Sequence, residues 1–147
     1  MALLITTVLV VTTIVVHYEA LRLISAFVAQ SEWPLRLRVL CVVLGCFAAH
    51  AVEITIYAIG YYLIEAAGFG SLSGNLEGGF ADYLYFSATA FSTLGFGDIN
   101  PHGVMRLVSG FEGVNGLFLI AWSTSFTYLA MERLWALHSR IGAESER

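Results

Sequence analysis

The chain has few charges and few of the residues that break or cross-link a fold. Charged residues make up 12% of its 147 residues, and it has two prolines, two cysteines and no lysine. A soluble domain carries about 25% charged residues, so an ordinary soluble fold is excluded. The net charge of −4 gives no basic surface for a nucleic acid. Cys41 and Cys46 point to different faces of one predicted helix, which favours free thiols over a disulfide.

Catalytic patterns are also missing from the sequence. The four histidines, His17, His50, His102 and His138, are scattered along the chain. There is no nucleophile–base pair, phosphate-binding loop or metal-ligand spacing. We therefore expect no enzymatic activity, no cofactor, no nucleic-acid partner and no small-molecule substrate.

Hydrophobic sequence dominates instead, at 58% of residues and a mean hydropathy of +0.76. About 20 apolar residues make a membrane-spanning helix, and three segments are long enough. The predicted spans are an N-terminal transmembrane helix at residues 1–30, an outer helix at 35–67 and an inner helix at 104–139. No positive region precedes the first span, so we expect a retained helix rather than a signal peptide. His17, Glu19 and Arg22 predict that its second half lies at the membrane interface.

The sequence between the second and third spans is less apolar than the spans themselves. Glycine and serine dominate residues 68–79, which predicts a turret loop. Residues 80–92 predict a short re-entrant helix, which a membrane tolerates only where protein or water surrounds it. Asn100–Gly103 predicts a turn, and residues 140–147 predict a short cytoplasmic tail.

The segment Thr93-Leu94-Gly95-Phe96-Gly97-Asp98 stands between the re-entrant helix and the third span. It resembles the filter of tetrameric potassium channels, which usually reads TVGYG. The likeness is closest to small prokaryotic channels with an added N-terminal helix. It implies an all-α membrane protein whose residues 34–139 form an ion-channel pore domain, with a pore helix at 80–92 and a filter at 93–98. It also implies a C4 homotetramer, because one chain supplies one pore loop.

The resemblance gives the filter backbone the ion-binding role. K⁺, the permeant ion, is expected to bind the carbonyl oxygens of Thr93, Leu94, Gly95 and Phe96, which replace its hydration shell. Gly97 completes the filter. Glycine adopts left-handed dihedrals without a Cβ clash, so Gly95 and Gly97 are expected to let successive carbonyls face one axis. The side chains of Leu94 and Phe96 are expected to pack behind the filter.

Four residues are expected to support the filter: Asp98, Tyr85, Thr89 and Ser92. Asp98 resembles an acidic residue that accepts a hydrogen bond from a pore-helix tryptophan in relatives. Tyr85 takes the place of that tryptophan, and its hydroxyl is expected to donate instead. Thr89 stands where some relatives have a buried glutamate, which excludes a carboxyl–carboxylate pair behind the filter. Ser92 resembles the hydroxyl residues with which the filter begins.

Two glycines of the inner helix are candidates for a gate hinge. Gly116 falls where relatives of the resembled family carry a hinge glycine, and Gly113 precedes it by three residues. One interpretation is that the helix bends there to open a gate. The other is close packing of helices in lipid. The sequence leaves both open.

Four polar residues lie at predicted membrane depth: His50, Glu53, Glu112 and Asn115. His50 and Glu53 share a helix face, as do Glu112 and Asn115. Ionisable groups at this depth are functional candidates. One hypothesis is that His50 and Glu53 meet Glu112 behind the filter and make conduction pH-dependent. The alternative is a hydrogen-bonded clamp between helices.

The arginines predict the orientation in the membrane. Six of them flank the first connection or follow the last span: Arg22, Arg36, Arg38, Arg133, Arg140 and Arg147. Three spans place all six on one side, which the positive-inside rule makes cytoplasmic. We expect a multi-pass protein of the plasma membrane, the inner membrane of a prokaryote, in contact with lipid. Its N-terminus is expected to be extracytoplasmic and its C-terminus cytoplasmic.

The sequence thus favours a potassium-selective channel that conducts K⁺ passively through Thr93–Gly97. A weakly selective cation channel is the first alternative, because Leu94 and Phe96 replace the commoner Val and Tyr. A non-conducting membrane subunit of an ion-uptake system is the second.

Overall fold

A computed structural model describes the backbone of residues 1–95 and 97–145 and the side chains of residues 1–95 and 97–136. Phe96 and the last two residues, 146 and 147, therefore lie outside the described part. Six elements follow one another: α1 (Ala2–Gln30), α2 (Leu35–Ala66), β1 (Gly70–Gly74), α3 (Phe80–Phe91), β2 (Ile99–Gly103) and α4 (Met105–Ser145).

Three of the helices are long and apolar enough to cross a membrane. They are α1 with 29 residues, α2 with 32, and the first 32 residues of α4, Met105–Ala136. An α-helix rises 1.5 Å per residue, so each exceeds the hydrocarbon thickness of about 30 Å. The part of the chain that the structure describes thus has three candidate membrane spans, as the sequence predicts, and they indicate a membrane protein.

The break between α1 and α2 falls where the sequence predicts it. The hydroxyl of Ser31 donates to the carbonyl of Val28 at 3.1 Å, which satisfies one free carbonyl at the end of α1. Pro34 has φ −54° and immediately precedes α2, where its missing N–H costs nothing. The side chain of Arg38 donates to the carbonyl of Trp33 at 2.8 Å and fixes the connection to the start of α2.

A two-stranded antiparallel sheet corrects the expectation of an all-α fold. Gly70 to Gly74 pairs with Gly103 to Ile99, so segments predicted as a turret loop and a turn form a hairpin-like ladder around α3. Leu72 and Ile99 are buried beneath it. The strands carry glycine, asparagine and proline, which are poor strand formers, so no strand was predicted from the sequence. The chain is mostly helical, and the ladder joins the two ends of the re-entrant segment.

Aromatic and aliphatic side chains from three helices form the main core. Its fully buried members are Tyr57 and Tyr61 of α2, Phe86 of α3, and Met105, Val108 and Leu119 of α4. The short helix α3 is therefore enclosed by α2 and α4. On the other side, α1 packs along α2 and α4, where Leu21 and Val28 meet Val42, Cys46 and Leu134.

A Gly74→Ala substitution tests the contact between the end of β1 and Asp98. A Cβ at Gly74 would overlap the carbonyl oxygen of Asp98. We expect a lower midpoint of thermal unfolding in detergent, since overpacking costs about 1–3 kcal/mol. Gly78→Ala is the matched control, because Gly78 also has a positive φ but nothing within 4 Å of its Cβ position. Equal shifts in the two variants would contradict the contact.

Candidate functional site

The helix α3 is too short to span a membrane and ends inside the protein. Its 12 residues rise about 18 Å, little more than half of the hydrocarbon thickness. Asp82 fixes its first turn, because the carboxylate accepts the backbone N–H groups of Glu77 at 3.2 Å and Gly78 at 2.8 Å. The core around Phe86 and Phe91 supplies the protein environment that such a re-entrant helix requires.

The backbone N–H groups of residues 93–95 donate hydrogen bonds to carbonyl oxygens in the last turn of α3. The N–H of Thr93 donates to the carbonyl of Ala90 at 3.1 Å, and that of Leu94 donates to Thr89 at 3.1 Å. The N–H of Gly95 reaches the same Thr89 carbonyl at 3.4 Å. Among the described residues, no backbone hydrogen bond ends on the carbonyl oxygens of Thr93, Leu94 or Gly95. Residues 93–95 are thus held to α3 through their backbone N–H groups.

Two residues of this segment have left-handed backbone dihedrals. Gly95 has φ +97° and Thr93 has φ +57°. A Cβ at Gly95 would meet nothing within 4 Å, so glycine serves the backbone conformation there rather than a close approach. Positive φ in a β-branched residue is strained and typical of functional segments. The sequence predicted this conformation at Gly95 and Gly97, and a positive φ is found at Gly95; no sequence signal predicted it at Thr93.

The outer end of the segment is held by Asp98. The hydroxyl of Tyr85 donates to the carboxylate of Asp98 at 3.2 Å, which is the bond predicted from the sequence, here within one chain. This hydrogen bond and the charge of Asp98 raise the pKa of Tyr85. The carbonyl of Asp98 accepts the N–H of Asn75 at 3.0 Å. Asp98 thus joins α3 to the end of β1.

The other predicted support residues make local contacts. The hydroxyl of Thr89 donates to the carbonyl of Phe86 at 2.8 Å, and that of Ser92 donates to Ala88 at 2.7 Å. The side chain of Leu94 does not pack behind the segment within this chain, because 79% of Leu94 is exposed. Phe96, predicted to bind K⁺ through its carbonyl and to pack with Leu94, lies outside the described residues.

The glycines of α4 bring its backbone against the end of α3. A Cβ at Gly116 would overlap the carbonyl oxygen of Phe91, and one at Gly113 would lie 3.3 Å from that of Ala90. The structure therefore provides the close packing that the sequence offered as one interpretation. A hinge at Gly116 or Gly113 remains a prediction.

Glu112 joins three elements, α2, α3 and α4. It is fully buried, and its carboxylate accepts hydrogen bonds from Ser87 of α3 at 2.6 Å and from the hydroxyl of Tyr61 of α2. The Ser87 hydroxyl is also 2.8 Å from the carbonyl of Ile54. Sequence reasoning missed Ser87 and Tyr61. A lone serine at the centre of an apolar, aromatic helix was the available signal for Ser87.

Glu53 belongs to a different network from Glu112. The Nδ1 atoms of His17 and His50 lie 2.7 and 2.9 Å from its two carboxylate oxygens. Asn115 donates instead to Thr13 at 2.8 Å and to Tyr57 at 3.2 Å. The expected meeting of His50 and Glu53 with Glu112 is wrong, because no hydrogen bond joins the two networks in the described part of the chain.

His17 is a second correction. The sequence placed it at the membrane interface, but it is fully buried where α1 packs against α2 and α4. It belongs to a buried stripe of α1 that comprises Thr6, Thr13, His17, Leu21 and Val28. These spacings of four and seven residues define one helix face. They were the sequence signal from which the burial of His17 could have been predicted. His17 and His50 are thus brought together, although they are scattered in sequence.

A comparison with protein families matches most of the chain between the middle of α2 and α4. Residues 49–133 match the model of a protein family described as "Ion channel". The matched part begins in the middle of α2 and ends within α4, so it contains the ladder, α3 and residues 93–98 but not α1. No curated protein matched the chain, and neither did any solved structure.

A Gly116→Ala substitution tests the approach of α4 to α3. We expect it to lower the midpoint of thermal unfolding, since displacing the Phe91 carbonyl costs about 1–3 kcal/mol. Gly110→Ala is the control on the same helix, because nothing lies within 4 Å of a Cβ there. It should be neutral or stabilising by up to about 1 kcal/mol from helix propensity. Similar stability of the two variants would show that the helices do not approach so closely.

Proposed function

Because the chain belongs to this ion channel family, we propose that it conducts K⁺ selectively and passively across the membrane through Thr93–Gly97. K⁺ is the permeant substrate, bound by the backbone carbonyls of Thr93, Leu94, Gly95 and Phe96. The observation that carries the proposal is the different bonding of the N–H groups and the carbonyl groups in the filter backbone. Its N–H groups are bonded to α3, and the carbonyls of Thr93, Leu94 and Gly95 accept no backbone hydrogen bond among the described residues.

Free carbonyls at this position meet the main energetic requirement of conduction. Moving a small ion from water into a low-dielectric medium costs on the order of 20 kcal/mol before relaxation. Carbonyl oxygens offset this cost when they replace the hydration shell. The positive φ values of Thr93 and Gly95 support carbonyls from successive residues turned toward one side. The C-terminal end of α3 adds a partial negative charge that favours a cation next to it.

The functional unit in this proposal is a C4 homotetramer. One chain supplies a single carbonyl at each level, whereas an ion needs a ring of them. A fourfold ring also closes a head-to-tail interface without free ends. The exposure of Leu94 supports this assembly, because a neighbouring subunit would cover an apolar side chain that nothing covers within the chain.

The proposed orientation places the filter entrance outside the cell. Arg22, Arg36 and Arg38 lie around the connection between α1 and α2, and Arg133 lies near the far end of α4. Three spans bring these ends to the same side, which is cytoplasmic by the positive-inside rule. The N-terminus is then extracytoplasmic. Asp98 and the β1–β2 ladder lie at the outer mouth, where acidic side chains favour the entry of cations.

The buried polar networks support the clamp interpretation over direct control of the filter by His50 and Glu53. Glu53 binds α1 to α2 through His17, and Asn115 binds α4 to α1 through Thr13. Glu112 hydrogen-bonds to the pore helix through Ser87. In this proposal Glu112 holds α3 in place, and the other network fixes α1 to the pore domain.

The proposal is tested by K⁺ flux into liposomes that contain the purified protein. We expect rapid flux in the natural protein and a loss of at least tenfold in Gly95→Ala, because alanine disfavours φ +97°. Gly78→Ala is the matched control, since Gly78 has φ +87° and equally open surroundings but lies before α3. It should conduct normally.

Reversal potentials in opposed K⁺ and Na⁺ gradients then separate the two conducting possibilities. We expect a value close to the K⁺ equilibrium potential. A value near zero would mean a weakly selective cation channel. Absence of flux from correctly assembled protein, or equal flux in Gly95→Ala, would contradict conduction through this segment.

A further inference from the structure

Two histidines and a glutamate from different helices converge within the membrane-spanning part of the chain. His17 of α1 and His50 and Glu53 of α2 offer ligand atoms that all lie within 4.8 Å of one another. We propose that these three residues bind one divalent transition-metal ion of the zinc type, which joins α1 to α2. None of the three residues belongs to the segment 93–98, and the inference does not depend on conduction.

The donor set fits such an ion. Imidazole nitrogens together with a carboxylate suit Zn²⁺ and its neighbours in the first transition series, and three protein ligands of this kind leave one position open. His50 and Glu53 stand three residues apart on one helix, a separation that metal-binding helical bundles also use for a carboxylate and an imidazole. The Nδ1 atoms already face the carboxylate at 2.7 and 2.9 Å. Small side-chain rotations would place the donors about 2.0–2.2 Å from one ion.

The surroundings of the cluster provide the outer contact expected of a metal-binding histidine. Such a histidine usually donates its second ring nitrogen to a neighbouring polar group. With Nδ1 of His17 turned toward Glu53, its Nε2 lies 3.4 Å from the hydroxyl of Ser123 of α4. The ring of Trp122 covers His17 with a centroid distance of 5.3 Å, and that of Phe91 covers His50 at 5.7 Å.

The charge of the cluster also favours a bound cation. Glu53 is fully buried at membrane depth, where a carboxylate is costly unless a positive charge compensates it. With neutral imidazoles, a divalent ion would offset this negative charge and use all three side chains at once.

The proposed site borders a groove on one side of the chain. A groove between α2 and α4 is lined by His50 and Ser123, together with Cys46, Thr127 and Met131. The side chain of His50 is 16% exposed, whereas those of His17 and Glu53 are fully buried. His50 is therefore the ligand at the entrance, and the other two form the floor of the site.

Metal binding to the full-length protein, purified without a histidine tag, tests the proposal. The protein is stripped with a chelator and dialysed against Zn²⁺ or Co²⁺. We expect one ion per chain by elemental analysis and visible Co²⁺ absorption bands of low-symmetry coordination. Thermal unfolding should shift upward as the Zn²⁺ concentration rises, because the ion binds the folded state.

Three variants locate the site. His50→Gln should weaken Zn²⁺ binding at least tenfold, and Ser123→Ala should weaken it about 10–100-fold through loss of the outer contact. His102→Gln is the matched control, because His102 lies on β2 and contacts Ser73; it should bind like the natural protein. Absence of Co²⁺ bands in the natural protein would overturn the proposal without any variant. Undiminished binding in His50→Gln would also overturn it.

Discussion

The structure depends on one set of backbone hydrogen bonds, those that fasten residues 93–95 to the end of α3. The carbonyl of Thr89 accepts the N–H groups of both Leu94 and Gly95, so these residues are held to α3 through their backbone donors. Left-handed dihedrals at Thr93 and Gly95 accompany this arrangement, and the strain at Thr93 persists only where the surroundings fix the conformation. Residues held in this way keep their carbonyl oxygens available to an ion that loses its hydration water.

The rest of the chain fixes the position of α3, to which residues 93–95 are hydrogen-bonded. Glu112 holds its middle through Ser87, Asp82 holds its first turn, and the Phe91 carbonyl at its end lies against Gly116 of α4. The β1–β2 ladder ties together the chain on either side of it. The polar contacts of the additional helix α1 with α2 and α4 make it an integral part of the bundle.

Features with local sequence signals could be predicted, and features made by long-range contacts could not. The three spans, the break at Pro34 and the bond between Tyr85 and Asp98 follow from hydropathy, proline chemistry and a motif. The ladder was missed because backbone pairing between glycine-rich segments leaves almost no side-chain pattern. The predicted partner of Glu53 was wrong because its actual partner, His17, lies 36 residues away in the sequence. Periodicity identifies a buried helix face but not the helix that covers it. Positive φ at Thr93 is imposed by the bonds to α3 rather than by the residue type.

The most direct test of this account is the position of heavy permeant ions in the assembled protein. Crystals grown in lipid are soaked in Rb⁺ or Tl⁺, and anomalous scattering locates the ions. The account predicts peaks on a fourfold axis, level with the carbonyl oxygens of Thr93, Leu94 and Gly95. An assembly without that symmetry, or an axis without ions beside these carbonyls, would contradict it.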